Sequence, residues 1–491
     1  MPESGIRPAT DRSAFTFTWN GKTVAATAGD TLAEALFRAG HEATGTSRKR
    51  HRPMGLSGAF VQGVIATVDG IPNQRLDQVI ARPGMRVLRQ NFWPTPQLDL
   101  LALFKYLPAR WVRGGFEHTR FMPSGTQRFL IWERLLAFLA GEGRLQAEPL
   151  EPAIVPGRKL ACDLVVIGGG PAGRQAANAA ASAGKRVVLI ARGSKPGRVA
   201  ALLGMEMPSL HPVVTLLAGH EATGVYRDGT LVVAAPVMSG PAVAVACREV
   251  ALAIGKRSMP PLVPGNLLPG VMDAPTALAL AARPDVTRRM GRTVVIGTGQ
   301  RDRIAERLLA CGVDVIAVAP QAKLRRIIGG SRVAAVDLDG QFACETVVHA
   351  GPWITDPNLP FQLRSAGVLR LKDQAKAPAY LVGAAAAADE AITYDPATAL
   401  DADVCPCMDV SAREITELLQ AGMSHVEELK RQTSCGMGPC QGFPCWDMMA
   451  AICRQHLGAD YQLDRPSHRA PRRGMTVAQA AGLHDIVEPV K

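Results

Sequence analysis

Leu164-Val-Val-Ile167 runs without a break into Gly168-Gly-Gly170-Pro-Ala-Gly173, and an alanine-rich stretch to Ala183 follows. A second apolar run, Arg186-Val-Val-Leu-Ile190, comes next. Strand, glycine turn, helix and strand in that order is the opening of a dinucleotide-binding Rossmann unit. Gly168 permits the tight turn, Gly170 lets the backbone approach a pyrophosphate, and Gly173 lets helix and strand close together. Gly169, Pro171 and Ala172 complete the turn, and the helix N-terminus offers free N–H groups to the anion. An Asp or Glu is expected at the end of the second strand, on the ribose hydroxyls. Ala191 stands there, which forfeits a charge-assisted hydrogen bond of roughly 1.5–3 kcal/mol. Arg192 follows and offers a partner for a ribose phosphate instead.

A second turn is weaker. Thr293-Val-Val-Ile296 leads to Gly297-Thr-Gly299-Gln-Arg-Asp302, then a helix and a strand at 314–318. Asp302 replaces the third glycine and is expected to crowd helix against strand. The strand ends at Ala319 with no acid. Across residues 158–400 strands and helices alternate, the pattern of a parallel sheet covered on both faces.

At 491 residues the chain holds about three or four domains. The first is expected at residues 14–92. Two strand-like runs flank Asn20-Gly21, a hairpin signal. Asp30-Thr31 is placed to cap a helix at 32–40, and short strands follow near 65–68 and 86–88. Helices are expected at 98–106 and 126–139. The tail from Arg465 reads as an extended arm lying on another surface. Residues 1–13 carry no apolar h-region and no run reaches about 20 apolar residues, so a cytoplasmic chain without a membrane span is expected. Lys and Arg number 55 against 43 Asp and Glu, a net charge of +12, which favours anionic partners.

Five of the 10 cysteines, Cys405, Cys407, Cys435, Cys440 and Cys445, crowd into 41 residues. Cys162, Cys247, Cys311, Cys344 and Cys453 are scattered and read as small buried hydrophobes. A local cluster in a chain without a secretion signal points to metal or redox chemistry. Two close pairs brought together by a helical hairpin make a four-thiolate site, which suits zinc or iron–sulfur. Gly436, Gly438 and Gly442 leave backbone N–H groups free for cluster sulfides, which favours iron–sulfur.

With these residues in view the chain resembles a known family. It is similar to the α-type subunit of multi-subunit flavin-containing amine and imino-acid dehydrogenases and oxidases. These include heterotetrameric sarcosine oxidase, opine oxidases, dye-linked proline and D-hydroxyproline dehydrogenases, and hydrogen cyanide synthase. Gly29-Asp-Thr-Leu-Ala-Glu-Ala-Leu36 and His51-Arg-Pro-Met-Gly55 resemble its ferredoxin-like first domain. Phe121-Met122 and Ile131-Trp-Glu133 resemble the segment after it. Ala253-Ile-Gly255 and Pro264-Gly-Asn-Leu-Leu-Pro-Gly270 resemble the link to the second Rossmann unit. Cys405-x-Cys407-x-Asp-Val and Gly436-Met-Gly-x-Cys440-Gln-Gly-x-x-Cys445 resemble its bacterioferritin-associated-ferredoxin-like (BFD-like) module.

The resemblance implies an α/β multidomain fold: a cluster-less β-grasp ferredoxin-like N-terminal domain, a core of two Rossmann domains of FAD and NAD(P) type, and a small helical BFD-like [2Fe-2S] domain. The expected boundaries are 1–95, a connector at 96–157, the FAD-type domain at 158–285 and 370–400, the NAD(P)-type domain at 286–369, the cluster domain at 401–460 and the arm at 461–491. Cys405, Cys407, Cys440 and Cys445 are implied as cluster ligands, with Cys435 as the alternate. In the first domain Arg52, Ser57 and Phe60 stand where a plant-type ferredoxin carries cysteines, so this part reads as a retained scaffold. Related flavoproteins carry an Asp after the glycine at Gly383, and here Ala384 follows.

The expected function is an electron-transfer and scaffold subunit of a hetero-oligomer, with no catalytic acid or base of its own. A partner β subunit would hold FAD and oxidise the C–N bond of an amino or imino acid of the sarcosine, opine, proline or hydroxyproline class. A further small subunit is compatible with this family. FAD or another adenine nucleotide is implied at Gly168–Gly173, FMN at a subunit interface is a further carrier, and NAD(P) at the second turn stays open. Two alternatives remain from the residues: a stand-alone NAD(P)H-dependent flavin and iron–sulfur reductase, or a non-catalytic iron–sulfur scaffold or sensor. The basic run Arg48-Lys-Arg-His-Arg52 is expected to contact a phosphate or a subunit, not nucleic acid.

Overall fold

The computed structural model describes residues 13–47, 50–58, 65–106, 130, 134, 155–193, 195–227, 229–236, 240–369, 378–438, 442–468, 470–471 and 475–484. Of the expected helix at 126–139 only Leu130 and Arg134 are described, both helical, and the motifs at 121–122 and 131–133 lie outside these residues. The chain falls into two compact units. One comprises Met1–Ala147, Ser258–Pro352 and Ala391–Arg465; the other comprises Glu148–Arg257, Trp353–Glu390 and Pro466–Lys491.

The first unit opens with a five-stranded sheet in the order 22–27, 14–19, 86–89, 65–68, 71–75. The N-terminal hairpin is antiparallel, and its first strand runs parallel to the last, Arg86–Arg89. The helix Leu32–Arg38 lies against this sheet, burying Leu32 and Leu36 in one core with Phe17, Val68 and Val87. This is the β-grasp, ferredoxin-like arrangement. Thr31 caps the helix and Glu34 returns the bond, a capping box. The expected helix at 98–106 appears as a 3-10 segment, Leu100–Tyr106.

Asp30 does other work beside that cap. It is fully buried, and it accepts hydrogen bonds from Arg38 at 2.7 Å and Arg283 at 2.5 Å. Burial works to raise its pKa, but bonds from the Thr27 backbone and the two arginines hold it below the ordinary value. A carboxylate with a depressed folded-state pKa stabilises fully above its unfolded value of about 3.9, and the contribution is lost as pH falls through the lower folded value. Asp30→Asn leaves two arginines facing a neutral amide, and we expect it to cost about 3 kcal/mol at pH 7. Thermal melts of both proteins check this, and the gap should narrow as the pH is taken below about 3.9.

The same unit contains a parallel sheet in the order 271–273, 346–350, 293–297, 315–320, with a three-stranded antiparallel sheet of 326–329, 333–337 and 341–343. Val271–Asp273 and the helix Ala274–Ala281 therefore stand with this second Rossmann sheet. Helix Arg301–Ala310 follows the turn at Gly297. Asp302 does not crowd the strand, because its side chain faces outward. The close approach falls on Gly297, where an added Cβ would meet the Ala350 carbonyl oxygen at 2.3 Å.

The second unit carries the first Rossmann sheet, order 215–218, 187–191, 164–167, 249–252, 379–381, all parallel. Helix Pro171–Ser182 covers one face, with Ala177 and Ala181 packed on Leu164, Val166 and Leu189. An antiparallel meander of 220–226, 231–236 and 243–246 joins Arg158–Ala161 at its edge. The tail is anchored on that meander. Gln479 donates to the Pro236 and Gly240 carbonyls, and Leu483 packs with Leu231 and Val233.

Candidate metal centre and nucleotide turns

The cysteine-bearing segment is built from short, well-capped pieces. Strand Asp403–Cys405 pairs antiparallel with Val410–Ser411, so Cys405 faces Val410 across a turn that carries Cys407. Ser411 and Glu414 form a capping box for helix Ala412–Gln420, whose Ile415 and Leu419 are buried. Helix Val426–Thr433 ends at Ser434, in a left-handed conformation at φ 61°, and Cys435 follows directly. Cys445 opens helix Cys445–Leu457.

Cys405, Cys407, Cys435 and Cys445 are all fully buried. The Sγ atoms of Cys405, Cys435 and Cys445 lie within 4.8 Å of one another. Thiolates around one tetrahedral metal stand about 3.8 Å apart when each metal–sulfur bond is about 2.3 Å, so the three thiols converge as metal ligands do. Cys407 is outside that trio; a Cβ on Gly438 would fall 2.3 Å from the Cys407 Cβ, so the backbone after Cys435 passes against it. Cys440 lies outside the described residues. Hydrogen bonds from the Cys435 and Cys445 side chains hold the Cys405 thiol well below its ordinary pKa against the effect of burial, and the Gly436 and Met408 backbones add to them. A buried sulfur drawn toward its thiolate form in this way suits a soft metal.

The glycines are required by a tryptophan. Gly436 and Gly442 have φ of 77° and 86°, and added Cβ atoms would meet the Trp446 ring at 2.0 Å and 1.6 Å. Gly436 and Gly442 thus both lie directly against the Trp446 ring.

The other cysteines read largely as expected. Cys162, Cys247, Cys344 and Cys453 are buried, and burial pushes their thiols up to about 11, 12, 11 and 11. Cys311 differs: it follows helix Arg301–Ala310 and is partly exposed.

The first glycine turn has the geometry of a phosphate site. Gly168 has φ of 116°, and a Cβ on it would strike the Ala253 carbonyl oxygen at 2.1 Å. A Cβ on Gly173 would stand 1.9 Å from the Gly168 carbonyl oxygen. Gly170 has open space before it, and no side chain caps the helix Pro171–Ser182 behind it. Gly383 comes to the same place, because its Cβ would lie 2.4 Å from that of Ala172. Arg174, which the sequence did not single out, ties the turn to the following loop by donating to the Gly169 and Pro208 carbonyls. Ala191 is buried and Arg192 is exposed. The pyrophosphate part of an adenine cofactor therefore fits, whereas no carboxylate stands at Ala191 or Ala384 for its sugar. At the second turn Gly299 is open and exposed.

The described part of the basic run, Arg50 to Arg52, is engaged within its own compact unit. Arg50 and Arg52 bind acidic residues of the cysteine segment, and His51 meets Asp99 at 2.6 Å. Arg48 and Lys49 lie outside the described residues. Asn266 was also missed by sequence reasoning. Its buried amide donates to the Pro261 and Asp403 carbonyls, and its oxygen accepts from the Asp403 N–H, fixing the strand that leads to Cys405.

Three protein families match successive parts of the chain. A 2Fe-2S iron–sulfur cluster binding domain matches residues 12–92, a pyridine nucleotide-disulphide oxidoreductase matches 162–301, and a BFD-like [2Fe-2S] binding domain matches 404–455. The set is that of an oxidoreductase, and the middle domain implies a flavin. The chain is 31% identical to sarcosine oxidase subunit alpha of Rhizobium meliloti (strain 1021) over 355 residues, 65% of this chain. The match spans 35% of that relative's length. The crystal structure of L-proline dehydrogenase from P. horikoshii superposes with a TM-score of 0.72 at 19% identity, covering 96% of this chain and 98% of that one. The fold is thus shared across nearly the whole chain.

The two iron–sulfur matches differ in what they can hold. The first cysteine of the chain is Cys162, so residues 12–92 offer no thiolate, and the donor set there does not fit a cluster. The BFD-like segment has buried, converging thiols and does fit one. No helix among the described residues is long and apolar enough to cross a membrane.

Proposed function

We propose that this homologue of the sarcosine oxidase α subunit is the electron-transfer and scaffold subunit of a hetero-oligomeric flavoenzyme. A partner β subunit holding FAD would oxidise the CH–NH bond of an amino or imino acid to C=N, with that FAD taking up the two electrons and the two protons leaving to it and to solvent. The chain's own part is to receive the electrons and pass them one at a time. Cys405, Cys407, Cys440 and Cys445 would hold the [2Fe-2S] group, with Cys435, which converges on Cys405 and Cys445, as the alternate ligand; when bound the group supplies a one-electron carrier. Gly168–Gly173 would seat the pyrophosphate of FAD or another adenine nucleotide, with Gly383 beside it.

The carrying observation is the buried convergence of Cys405, Cys435 and Cys445. Buried thiols around a glycine loop suit an electron carrier. The sharing of fold with a proline dehydrogenase and of sequence with a sarcosine oxidase subunit supports an amino-acid donor.

Anaerobic purification with iron and sulfide counts tests the reading directly. Two irons and two sulfides per chain are expected. Dye reduction by an amino or imino acid should appear only when the FAD-containing partner is added. Zinc in place of iron, or substrate oxidation by this chain alone, would overturn it.

A further inference from the structure

Arg52 stands in the ferredoxin-like loop at a place where a plant-type ferredoxin has a cluster cysteine. It reaches instead into the cysteine segment of the same compact unit. Its Nη1 donates to Asp403 Oδ2 at 2.7 Å, and its Nη2 and Nε donate to Asp409 Oδ1 at 2.6 Å and 3.1 Å. Asp403 lies two residues before Cys405, and Asp409 lies two residues after Cys407. One guanidinium therefore grips both ends of the turn that carries the first cysteine pair.

The grip is built on both sides. The Arg52 N–H donates to Ser47 Oγ at 2.9 Å, and the Ser47 N–H returns a bond to the Arg52 carbonyl at 2.9 Å. Asp409 is buried, with φ of 52°, and its second oxygen accepts from the Arg50 N–H at 3.1 Å. Arg50 itself reaches Glu414 at 3.5 Å. Burial works to lower the Arg52 pKa, yet Asp403 and Asp409 carry it above its ordinary value, so the guanidinium stays charged between them.

We propose that Arg52 is a positioning residue for the BFD-like metal site: it holds the Cys405–Cys407 turn through Asp403 and Asp409 and offsets their negative charge beside the cluster. The inference rests on the [2Fe-2S] reading above. The ferredoxin-like domain, which carries no cysteine, thereby supplies a charge and a clamp to the BFD-like site.

Reduction adds one negative charge to a thiolate-held cluster, so nearby charge sets its potential. With Arg52 in place, one cation faces two carboxylates. Without it, both carboxylates lose the guanidinium charge that faces them, and the reduced form is disfavoured. Arg52→Gln is expected to shift the redox equilibrium against reduction by about tenfold, ~59 mV for one electron. Arg52→Lys keeps the charge but not the planar fork, so a smaller fall is expected. Asp409→Asn removes a carboxylate and should move the potential upward.

The test is a redox titration of the full chain followed by the cluster's EPR signal, with iron counted in each variant. The expected order of potentials is Asp409→Asn, wild type, Arg52→Lys, Arg52→Gln. If Arg52→Gln does not fold, Arg52→Lys and Asp403→Asn carry the same comparison, falling and rising respectively. Iron-containing variants with the wild-type potential, or shifting in one direction together, would overturn the inference. A wild-type protein without iron would overturn the cluster reading and this inference with it, and the iron count tells the two failures apart.

Discussion

Cys405→Ser and Cys445→Ser will each strip the chain of its iron and of its visible absorption. Both sulfurs belong to the converging trio, and both are fully buried. Serine oxygen is a harder and less acidic donor than a thiolate and does not replace it on a soft metal. Changing groups that merely orient a metal ligand costs about 10–100-fold in metal affinity, so losing a ligand itself should cost more. Cys453→Ala is the control: its thiol is buried in the same helix as Cys445 and is pushed up to about 11, so it should keep full iron. The informative comparison is Cys435→Ala with Cys440→Ser. We expect Cys440→Ser to lose iron and Cys435→Ala to keep it with an altered spectrum, because Cys435 bonds to the Cys405 sulfur. Iron retained in Cys440→Ser and lost in Cys435→Ala would exchange their roles. Iron and sulfide analysis with visible absorption of the five proteins decides it.

The parts of this arrangement that were readable from sequence are those set by local rules. A glycine turn between an apolar strand and an alanine-rich helix can be seen because each glycine answers a steric demand of its neighbours. The hairpin at Asn20-Gly21 and the cysteine spacing are legible for the same reason. Long-range partners are not. Nothing near Arg52 in the chain indicates that Asp403 and Asp409, more than 350 residues away, will take its charge. The basic run therefore read as a phosphate or subunit contact, although Arg50, His51 and Arg52 are engaged within the chain. Asn266 escaped notice likewise, because an asparagine in a proline- and glycine-rich link looks like turn chemistry. Asp302 misled in the opposite sense. The motif predicts crowding at the third glycine, but the helix begins at Arg301 and turns Asp302 outward.

The first glycine turn separates two kinds of damage, and that gives the second large effect. A methyl on Gly173 would lie 1.9 Å from the Gly168 carbonyl oxygen, a backbone atom that cannot swing aside. Helix Pro171–Ser182 would have to lift from its strand, exposing the packing of Ala177 and Ala181 on Leu164 and Val166. Gly173→Ala should therefore destabilise the fold by about 3 kcal/mol, at the upper end of overpacking costs, and should lose bound nucleotide as a consequence. Gly170 is the opposite case. Its φ of −74° suits any residue, and an added Cβ meets nothing within 4 Å. The open space there is where a pyrophosphate would approach the backbone. Gly170→Ala should melt like the wild type and still release its nucleotide, because a methyl takes the place of the closest phosphate contact. Thermal melts and mass spectrometry of small molecules released from each purified protein check both halves. Equal nucleotide content in Gly170→Ala and wild type would mean that the turn keeps the Rossmann geometry without using it, leaving the cysteine site as the chain's working cofactor centre.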